Sequence, residues 1–189
     1  MNVSGVQSES PLRELAAMGG TPSSTTRHFD VLLGSSLNLR FLLLFGGHVA
    51  SDASGGAVQV NSGALASFEY VTFSGNSAGS SSSVLTGGGA LYVAHGSSAN
   101  IQHSLFIANR AVGGVGGGAW VEGQASFQYT TFDKDNSLWG GAASMYHSST
   151  KYPDGKTLAT FVSSTFLGNT ASHHGGSLHV EGQNVEAVV

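Results

Sequence analysis

Residues 68–76 read Phe-Glu-Tyr-Val-Thr-Phe-Ser-Gly-Asn, and residues 88–91 read Gly-Gly-Ala-Leu. The first pattern is an apolar residue, four variable positions, Phe, two more positions and then Asn or a similar residue. Its copies are Phe68/Phe73/Asn76, Ile101/Phe106/Asn109, Phe127/Phe132/Asp135 and Phe161/Phe166/Asn169, with a degenerate copy at Leu39/Leu44/Gly47. The second pattern is a Gly-Gly pair followed by a small residue and a short apolar run. Its copies are Gly55-Gly56-Ala57, Gly88-Gly89-Ala90, Gly117-Gly118-Ala119, Gly140-Gly141-Ala142 and Gly175-Gly176-Ser177. Because the two patterns alternate strictly, they indicate a repeat architecture.

The spacing of the repeats favours short strands joined by corners. The second glycines of successive pairs lie 23 to 35 residues apart, and such variable insertions belong in loops. Segments such as 67–73 and 126–132 are rich in Thr, Tyr, Phe and Val, which suit a pleated, half-buried surface. The glycine pairs permit a positive φ at one corner. Asn76, Asn109 and Asn169 are predicted corner residues, because Asn tolerates the left-handed conformation.

A unit this small cannot bury a face by itself, so the units must stack. The sequence predicts an all-β parallel β-helix of about five coils, in which equivalent residues of successive coils lie above one another. Two columns follow from this stacking, one aromatic and internal, the other polar and along an edge, where amide side chains can hydrogen-bond to one another. The aromatic column comprises Phe73, Phe106, Phe132 and Phe166. The polar column comprises Asn76, Asn109, Asp135 and Asn169. We expect core and corner roles for these residues rather than catalytic ones.

The two ends of the chain differ from the repeats. Residues 1–26 lack both patterns and are predicted to form a segment distinct from the repeat domain of residues 27–189. Ser10-Pro11 before Leu12, Leu15 and Met18 has the capping residue, the Pro and the apolar spacing of a short helix, which could cover the open end of the stack. Nothing in residues 186–189 resembles a cap. We therefore expect the natural protein to continue beyond Val189 by further coils, or its assembly to continue by end-to-end stacking.

Composition excludes several classes of protein. The 189 residues include 28 Gly without an every-third-residue period and no Cys, which rules out a collagen helix and a disulfide-stapled miniprotein. Only 7 residues are Lys or Arg, too few to neutralise a run of phosphates, so nucleic acid is not an expected partner. The first twenty residues contain no visible export signal. The most apolar stretch, 37–45, is short and contains Arg40, so it is a predicted buried strand rather than a transmembrane segment.

The alternating Gly-Gly-Ala and Phe-x-x-Asn motifs resemble the repeats of the chlamydial polymorphic outer membrane proteins. More broadly, they resemble the pectin-lyase-like right-handed parallel β-helix superfamily, and the resemblance covers about residues 31–182. It implies right-handed winding and an exported, extracellular or cell-surface domain that adheres to surfaces. The same superfamily includes polysaccharide-cleaving enzymes, so fold alone leaves both functions open. Asp135 in place of Asn and Ser177 in place of Ala depart from the pattern.

Charged residues provide the candidates for catalysis. Polysaccharide lyases and glycoside hydrolases on this scaffold resemble one another in needing clustered carboxylates, or Ca²⁺ with an Arg or Lys base, on one exposed face. The candidate catalytic residues are Asp133, Lys134, Asp135, Lys151, Asp154 and Lys156. The last three belong to an insertion over residues 147–158, which contains the turn signal Pro153-Asp154-Gly155. A solvated, charged loop is the favoured interpretation, and a binding or catalytic loop is the alternative.

Histidines provide the candidates for metal binding. The chain has 8 His, of which the candidate ligands are His147, His173, His174 and His179. No spacing among them matches a known ligand motif, and a Gly-Gly corner separates His173 from His179. We therefore expect no metal and no cofactor.

The function predicted from these observations is a non-enzymatic, surface-associated or secreted repeat domain. It presents loops for adhesion or partner binding, to a surface polysaccharide or to a protein. The alternative is a carbohydrate-active or carbohydrate-binding β-helix, which acts as a lyase or hydrolase through the 147–158 insertion. One feature distinguishes the two functions. Catalysis needs acidic and basic side chains concentrated on one exposed face, whereas adhesion does not.

Overall fold

The described part of the chain consists of short parallel strands. The computed structural model describes residues 16–19, 26–50, 53–79, 86–147 and 155–189. The strands found there are, in chain order, β1 (Ala16–Gly19), β2 (Phe29–Val31), β3 (Ser36–Phe45), β4 (His48–Val49), β5 (Val58–Val60), β6 (Leu65–Ser74), β7 (Ser77–Ala78), β8 (Leu91–Val93), β9 (Ser98–Gln102), β10 (Leu105–Ile107), β11 (Arg110–Ala111), β12 (Ala119–Val121), β13 (Gln124–Gln128), β14 (Thr131–Asp133), β15 (Asn136–Trp139), β16 (Ala143–Tyr146), β17 (Thr157–Val162), β18 (Thr165–Leu167), β19 (Thr170–His174), β20 (Leu178–Glu181) and β21 (Val185–Val188). Within these ranges there is no helix of a length and hydropathy that could cross a membrane.

Each coil passes in turn through three parallel sheets. The six-stranded sheet contains β2, β5, β8, β12, β16 and β20, and the five-stranded sheet contains β4, β7, β11, β15 and β19. The other strands form the ten-stranded sheet, which supplies the longest strands of each coil. Strand β5, for example, pairs with β2 of the preceding coil and with β8 of the next. This coil-on-coil pairing confirms the predicted parallel β-solenoid of about five coils, and its right-handed winding stays a prediction.

The predicted aromatic column is present in the core. Phe106 pairs with Phe73 on one side and with Phe132 on the other, and Phe132 pairs with Phe166. Their ring centroids are 4.5, 4.6 and 5.4 Å apart, and the rings are nearly parallel. The first three rings are fully buried. Because parallel strands lie about 4.8 Å apart, the strand pairing itself brings the rings into stacking contact.

The degenerate first copy of the repeat is part of the same stack. Leu39 pairs with Phe68, and Leu44 pairs with Phe73. Phe68 and Phe73 in turn meet edge to face, with ring centroids 5.3 Å apart. The first coil therefore closes one end of the aromatic core with aliphatic side chains.

The third glycine motif lies one residue earlier than the sequence predicts. Ala119 pairs with Leu91 and Ala143, so the aligned triple is Gly116-Gly117-Gly118 rather than Gly117-Gly118-Ala119. The positive φ accordingly falls on Gly116, at 61°. A run of glycines offers more than one register to a sequence pattern, and strand pairing selects between them.

The left-handed corners precede the Asn positions by one residue, which corrects the prediction that the Asn residues form them. The positive φ angles occur at Gly46, Gly75, Ala108, Lys134 and Gly168. Asn76 and Asn109 are instead buried inside the solenoid. The corner itself needs no side chain, whereas the amide is needed in the interior for hydrogen bonds between coils.

Residues 16–19 form a strand, not part of the predicted helix. Strand β1 pairs in parallel with residues 42–45 of β3. The edge of the first coil would otherwise present unpaired N–H and C=O groups, and an added strand satisfies them directly. Residues 10–15, the rest of the predicted helix, lie outside the described residues.

Replacing Phe106 by Ala is expected to lower the free energy of unfolding by about 3–5 kcal/mol. The ring is fully buried and contacts a ring on each side, so its removal leaves a cavity in the column. Urea unfolding followed by circular dichroism measures the effect. Leu167→Ala, at a half-exposed position, is the control and is expected to change stability by less than about 0.5 kcal/mol. Equal effects of the two substitutions would contradict the stacked core.

Candidate functional site

The central candidates for catalysis, Asp133, Lys134 and Asp135, do not face one surface. Asp133 and Lys134 form an ion pair with 3.9 Å between Oδ2 and Nζ on the outside of the solenoid. Asp135 is fully buried inside it. The left-handed corner at Lys134, with φ of 57°, explains the separation, because β14 ends at Asp133 and the turn directs Asp135 into the interior. Strand alternation alone would place residues two apart on the same face.

The candidates in the 147–158 insertion are only partly within the described residues. Lys151 and Asp154 lie outside them. The Lys156 ammonium forms an exposed ion pair with Glu186, with 2.7 Å between Nζ and Oε2, and exposed pairs of this kind contribute little to stability. The structure therefore does not bring Lys156 together with Asp133 or Asp135.

The four candidate metal ligands occupy different environments. His147 is buried, neither of its ring nitrogens has a hydrogen-bond partner, and its ring lies 5.9 Å from that of His95. His173 packs against Trp139, with ring centroids 5.1 Å apart. Burial lowers the pKa of His179, and the charge of His174 lowers it further. Over the described ranges, no three His, Asp or Glu side chains are grouped as metal ligands.

The predicted polar column is a continuous hydrogen-bonded ladder. The Asn76 backbone N–H and side-chain Nδ2 both donate to Oδ1 of Asn109, at 3.0 Å. The Asn109 N–H and Nδ2 donate in the same way to Oδ1 of Asp135, at 2.7 and 3.0 Å. The ladder begins at the Gly47 N–H, which donates to Asn76, and ends at Asn169, which accepts from the Asp135 N–H. Each step therefore ties one coil to the next.

Asp135 differs from the Asn residues of this ladder at one side-chain atom. The amide nitrogens of Asn76, Asn109 and Asn169 each also donate to a backbone carbonyl of the preceding coil. Asp135 has a carboxyl oxygen, Oδ2, in place of that nitrogen, and this buried oxygen has no partner. Burial raises the pKa of Asp135 to about 7, with the nearby Asp133 charge adding to the rise and the Asn109 hydrogen bonds opposing it. The protonated acid can donate as the amides do, so the folded chain favours the neutral form.

The outer face of the ten-stranded sheet forms a shallow trough of about 560 Å³. Two rows of outward side chains line it, running from coil to coil. They are Ser36, Leu65, Ser98, Gln124 and Leu158, and Asn38, Ser67, Asn100, Ser126 and Thr160. The rows contain hydroxyl, amide and aliphatic groups but no charge, so the trough offers hydrogen bonds without an acid or a base.

A stack of aromatic rings runs along a corner of the same sheet. Phe41, Tyr70, His103 and Tyr129, which we call the aromatic ridge, are equivalent residues of four successive coils. Their ring centroids are 5.1, 4.9 and 4.9 Å apart, and neighbouring rings are within 10° of parallel. Tyr70 is 43% exposed and Tyr129 56% exposed. Because the faces cover one another, solvent meets mainly the ring edges and the phenol hydroxyls.

The backbone of the aromatic ridge is strained. Its four residues have φ between 49° and 55°, the left-handed region that costs a residue with a side chain about 1–2 kcal/mol. Another corner of the coils, at Gly55, Gly88, Gly116, Gly140 and Gly175, uses glycine every time. Aromatic stacking contributes about 0.5–1.5 kcal/mol per pair, which does no more than offset the strain. Stability therefore gives no reason to prefer aromatic residues to glycine at this corner.

One family model matches a segment of the chain that contains Phe73 and Asn76 of the first sequence pattern and one complete copy of the second. Residues 70–94 match the model of the Chlamydia polymorphic membrane protein (Chlamydia_PMP) repeat. The match covers one repeat unit, and this segment is similar to a Chlamydia polymorphic membrane protein (PMP) repeat. The matched segment begins at Tyr70 of the aromatic ridge, includes Phe73 and Asn76 of the two internal columns, and ends just after β8. No curated protein and no solved structure matches the chain.

Sequence reasoning missed the aromatic ridge, although a signal for it exists. Each ridge residue follows the first apolar residue of the PMP-type pattern by two positions, as Tyr70 follows Phe68 and Tyr129 follows Phe127. Aligning the copies position by position would have exposed a column of aromatic rings and one imidazole. The trough was missed because no single residue in it is unusual, and only the strand register brings its rows together.

Asp135→Asn is expected to stabilise the protein at alkaline pH and to remove a pH dependence. The carboxyl pKa is raised on folding, so the wild-type free energy of unfolding falls as pH rises from about 4 to 7 and is lowest above pH 7. At pH 8 the Asn variant should be more stable by up to about 4 kcal/mol. Urea unfolding at pH 5 and pH 8 measures the difference between the two proteins.

Asp133→Asn is the matched control for this experiment, since it removes the neighbouring carboxylate from the outside of the solenoid. It is expected to leave most of the pH dependence in place. If the wild-type chain gained stability between pH 5 and 8 relative to Asp135→Asn, Asp135 would be ionised without penalty, and the buried carboxyl would not be a weak point of the ladder.

Proposed function

We propose that this chain is a surface-associated, non-enzymatic repeat domain that adheres to a protein partner through the aromatic ridge. The PMP repeat family suggests association with an outer membrane or a cell surface. The observation that carries the proposal is the exposed stack of Phe41, Tyr70, His103 and Tyr129 on strained backbone. Backbone strain that stability does not explain is typical of functional positions.

The chemistry of the ridge suits a protein surface. Tyr residues provide large contact areas at a low cost in side-chain entropy, and their hydroxyls form hydrogen bonds. The stacking holds the rings rigid before a partner arrives, which reduces the entropy lost on binding. Sugars bind aromatic side chains through ring faces, which are covered along most of this ridge. The exposed edges and hydroxyls favour hydrogen-bond acceptors and other aromatic groups, as found on proteins.

The arrangement of charges supports binding rather than catalysis. Asp133 lies on the outside of the solenoid, Asp135 is buried inside it, and Lys156 is paired with Glu186. General acid and base groups must reach the same substrate, and these side chains do not. The outer trough, which could hold an extended ligand, is lined by uncharged side chains.

Replacing both Tyr70 and Tyr129 by Asn is expected to reduce adhesion about tenfold or more, as at interface hot spots. Asn suits the left-handed backbone, so the variant should fold at least as stably as the wild type. The measurement is retention of labelled protein on intact epithelial cells and on a panel of immobilised matrix proteins, with circular dichroism melting to verify the fold.

The control variant replaces two exposed apolar residues outside the ridge, Leu33 and Leu167, by Asn. It changes general surface hydrophobicity to a similar extent and is expected to bind as the wild type does. If the control variant loses as much adhesion as Tyr70→Asn/Tyr129→Asn, adhesion depends on nonspecific apolar surface and the ridge has no particular role.

A second candidate function, carbohydrate recognition, is favoured by the outer trough. Its two rows of amide and hydroxyl groups could hydrogen-bond to successive sugars of an extended neutral polysaccharide. The predicted enzymatic form, acting through the 147–158 insertion, belongs to this candidate as well. We rank it second because the trough itself contains no titratable group.

Affinity electrophoresis in gels containing neutral or uronic-acid polysaccharides tests this second candidate. Asn38→Ala/Asn100→Ala should abolish any retardation, whereas the ridge variant should retain it. Release of reducing ends or unsaturated products that disappears in Asp133→Ala or Lys151→Ala would establish the enzymatic form. Migration that no polysaccharide changes would eliminate the candidate.

A further inference from the structure

A second concave site lies on the outside of the six-stranded sheet, away from the aromatic ridge. It is a cavity of about 290 Å³ lined by Val115, Trp139, Ser144, Tyr146, His179 and Glu181. Ser144 and Tyr146 come from β16, and His179 and Glu181 from the neighbouring β20. Val115 forms isolated parallel bridges with Gly87 and Trp139, so it stacks between the neighbouring coils and, together with Trp139, forms one wall of the cavity.

Strand pairing fixes the positions of the polar groups in this cavity. Ser144 pairs with His179, and Tyr146 pairs with Glu181. All four side chains project from the same face, because they alternate with Met145 and Val180 along their strands. The cavity therefore combines two aromatic residues, one imidazole and one carboxylate within two adjacent rungs.

The electrostatic character of the cavity is negative. Among the described residues that line it, Glu181 is the one carboxylate, with 64% of its side chain exposed, and none is Lys or Arg. Burial lowers the pKa of His179, and the charge of His174 lowers it further, while Glu181 acts in the opposite direction. His179 is therefore neutral at pH 7, and the Glu181 charge is left uncompensated within the cavity.

Ser144, His179 and Glu181 lie in the order of a nucleophile, a base and an acid, but their geometry serves another purpose. Ser144 Oγ is 3.2 Å from His179 Nδ1, and His179 Nε2 is 3.8 Å from Glu181 Oε2. Ser144 has no solvent-exposed surface, and the 3.8 Å between His179 Nε2 and Glu181 Oε2 is longer than a hydrogen bond, so the three groups do not form a catalytic relay. The hydrogen bond between Ser144 Oγ and His179 Nδ1 instead fixes the orientation of the imidazole ring beside Glu181.

The aromatic residues decide which cation fits. Trp and Tyr attract cations through the electron-rich faces of their rings, and the attraction strengthens for a cation with a weakly hydrated, apolar surface. A divalent metal would need more σ-donor ligands than this cavity supplies. We propose that the cavity binds a quaternary ammonium group, with Trp139 and Tyr146 contacting its methyl groups and Glu181 neutralising its charge.

This site is independent of the proposed adhesion through the aromatic ridge. The two share no residue, so loss of one activity leaves the other measurable. Soluble choline and the headgroup of a phosphatidylcholine lipid present the same trimethylammonium chemistry and are separate sources of the ligand.

Isothermal titration calorimetry with choline at neutral pH tests the proposal. The critical comparison ligand is 3,3-dimethylbutan-1-ol, which has nearly the same shape as choline but carries no charge. Choline is expected to bind at least about tenfold more tightly than this alcohol. Flotation with phosphatidylcholine or phosphatidylglycerol vesicles identifies the source. Capture by phosphatidylcholine alone indicates a lipid headgroup, and choline binding without vesicle capture indicates a soluble ligand.

Two cavity variants and two matched controls complete the test. Glu181→Gln should weaken choline binding about fivefold or more while leaving the alcohol unaffected, and Trp139→Leu should weaken choline about fivefold to thirtyfold. Glu186→Gln, which removes an exposed carboxylate outside the cavity, and Tyr129→Leu, which removes an exposed aromatic ring, should change neither. Circular dichroism melting checks the fold of all four variants, and the exposed Glu181 position keeps the test decisive if Trp139→Leu is unstable.

Three results would overturn the proposal. The first is equal affinity for choline and the uncharged alcohol, which would make the cavity an apolar site only. The second is the absence of binding heat at tens of millimolar choline. The third is an equal loss of choline affinity in Glu181→Gln and Glu186→Gln, which would mean that overall protein charge, not the cavity, attracts the ligand.

Discussion

Parallel hydrogen bonding between successive coils places each residue against its equivalent in the next coil, and most features of this protein follow from that constraint. A position can be occupied only by side chains that tolerate a copy of themselves about 4.8 Å away. Phenyl rings meet this condition by stacking, as in the column from Phe73 to Phe166. Amides meet it because each has both a donor and an acceptor. Carboxylates do not, which is why the buried ladder contains a single Asp between two Asn residues.

The same constraint produces the surface features outside the core. Residues that repeat at one corner become the aromatic ridge, and small polar residues that repeat on the ten-stranded sheet become the trough. The cavity beside Glu181 is different, because its side chains do not repeat from coil to coil. There, Val115 and Trp139, which bridge to each other, lie beside residues of β16 and β20. Periodic surfaces thus suit extended or repetitive partners, whereas side chains that do not repeat create a site for one small group.

The fold could be predicted from the sequence because the stacked residues are the repeated ones. Phe73, Phe106 and Phe132 were placed correctly from spacing alone, and so was Gly47 at the start of the polar ladder. The errors concern single-residue offsets, as at Gly116, and the segment at Ala16, where the open edge of a strand outweighs local helix signals. The sites were less predictable. The separation of Asp133 from Asp135 depends on the left-handed corner at Lys134, and the pairing of Ser144 with His179 depends on strand register, neither of which motif spacing specifies.

The odd carboxyl in the buried ladder also affects how the whole stack holds together. In a solenoid each coil touches only its neighbours, so cooperativity passes through one interface at a time. Asp135 lies where the fourth coil meets the third, and its unpartnered oxygen lacks the hydrogen bond to a carbonyl of the preceding coil that the Asn residues of the ladder make. We expect this junction to weaken in mildly alkaline surroundings, where the buried carboxyl ionises. Under a stretching force along the axis, the coils are then expected to part there first.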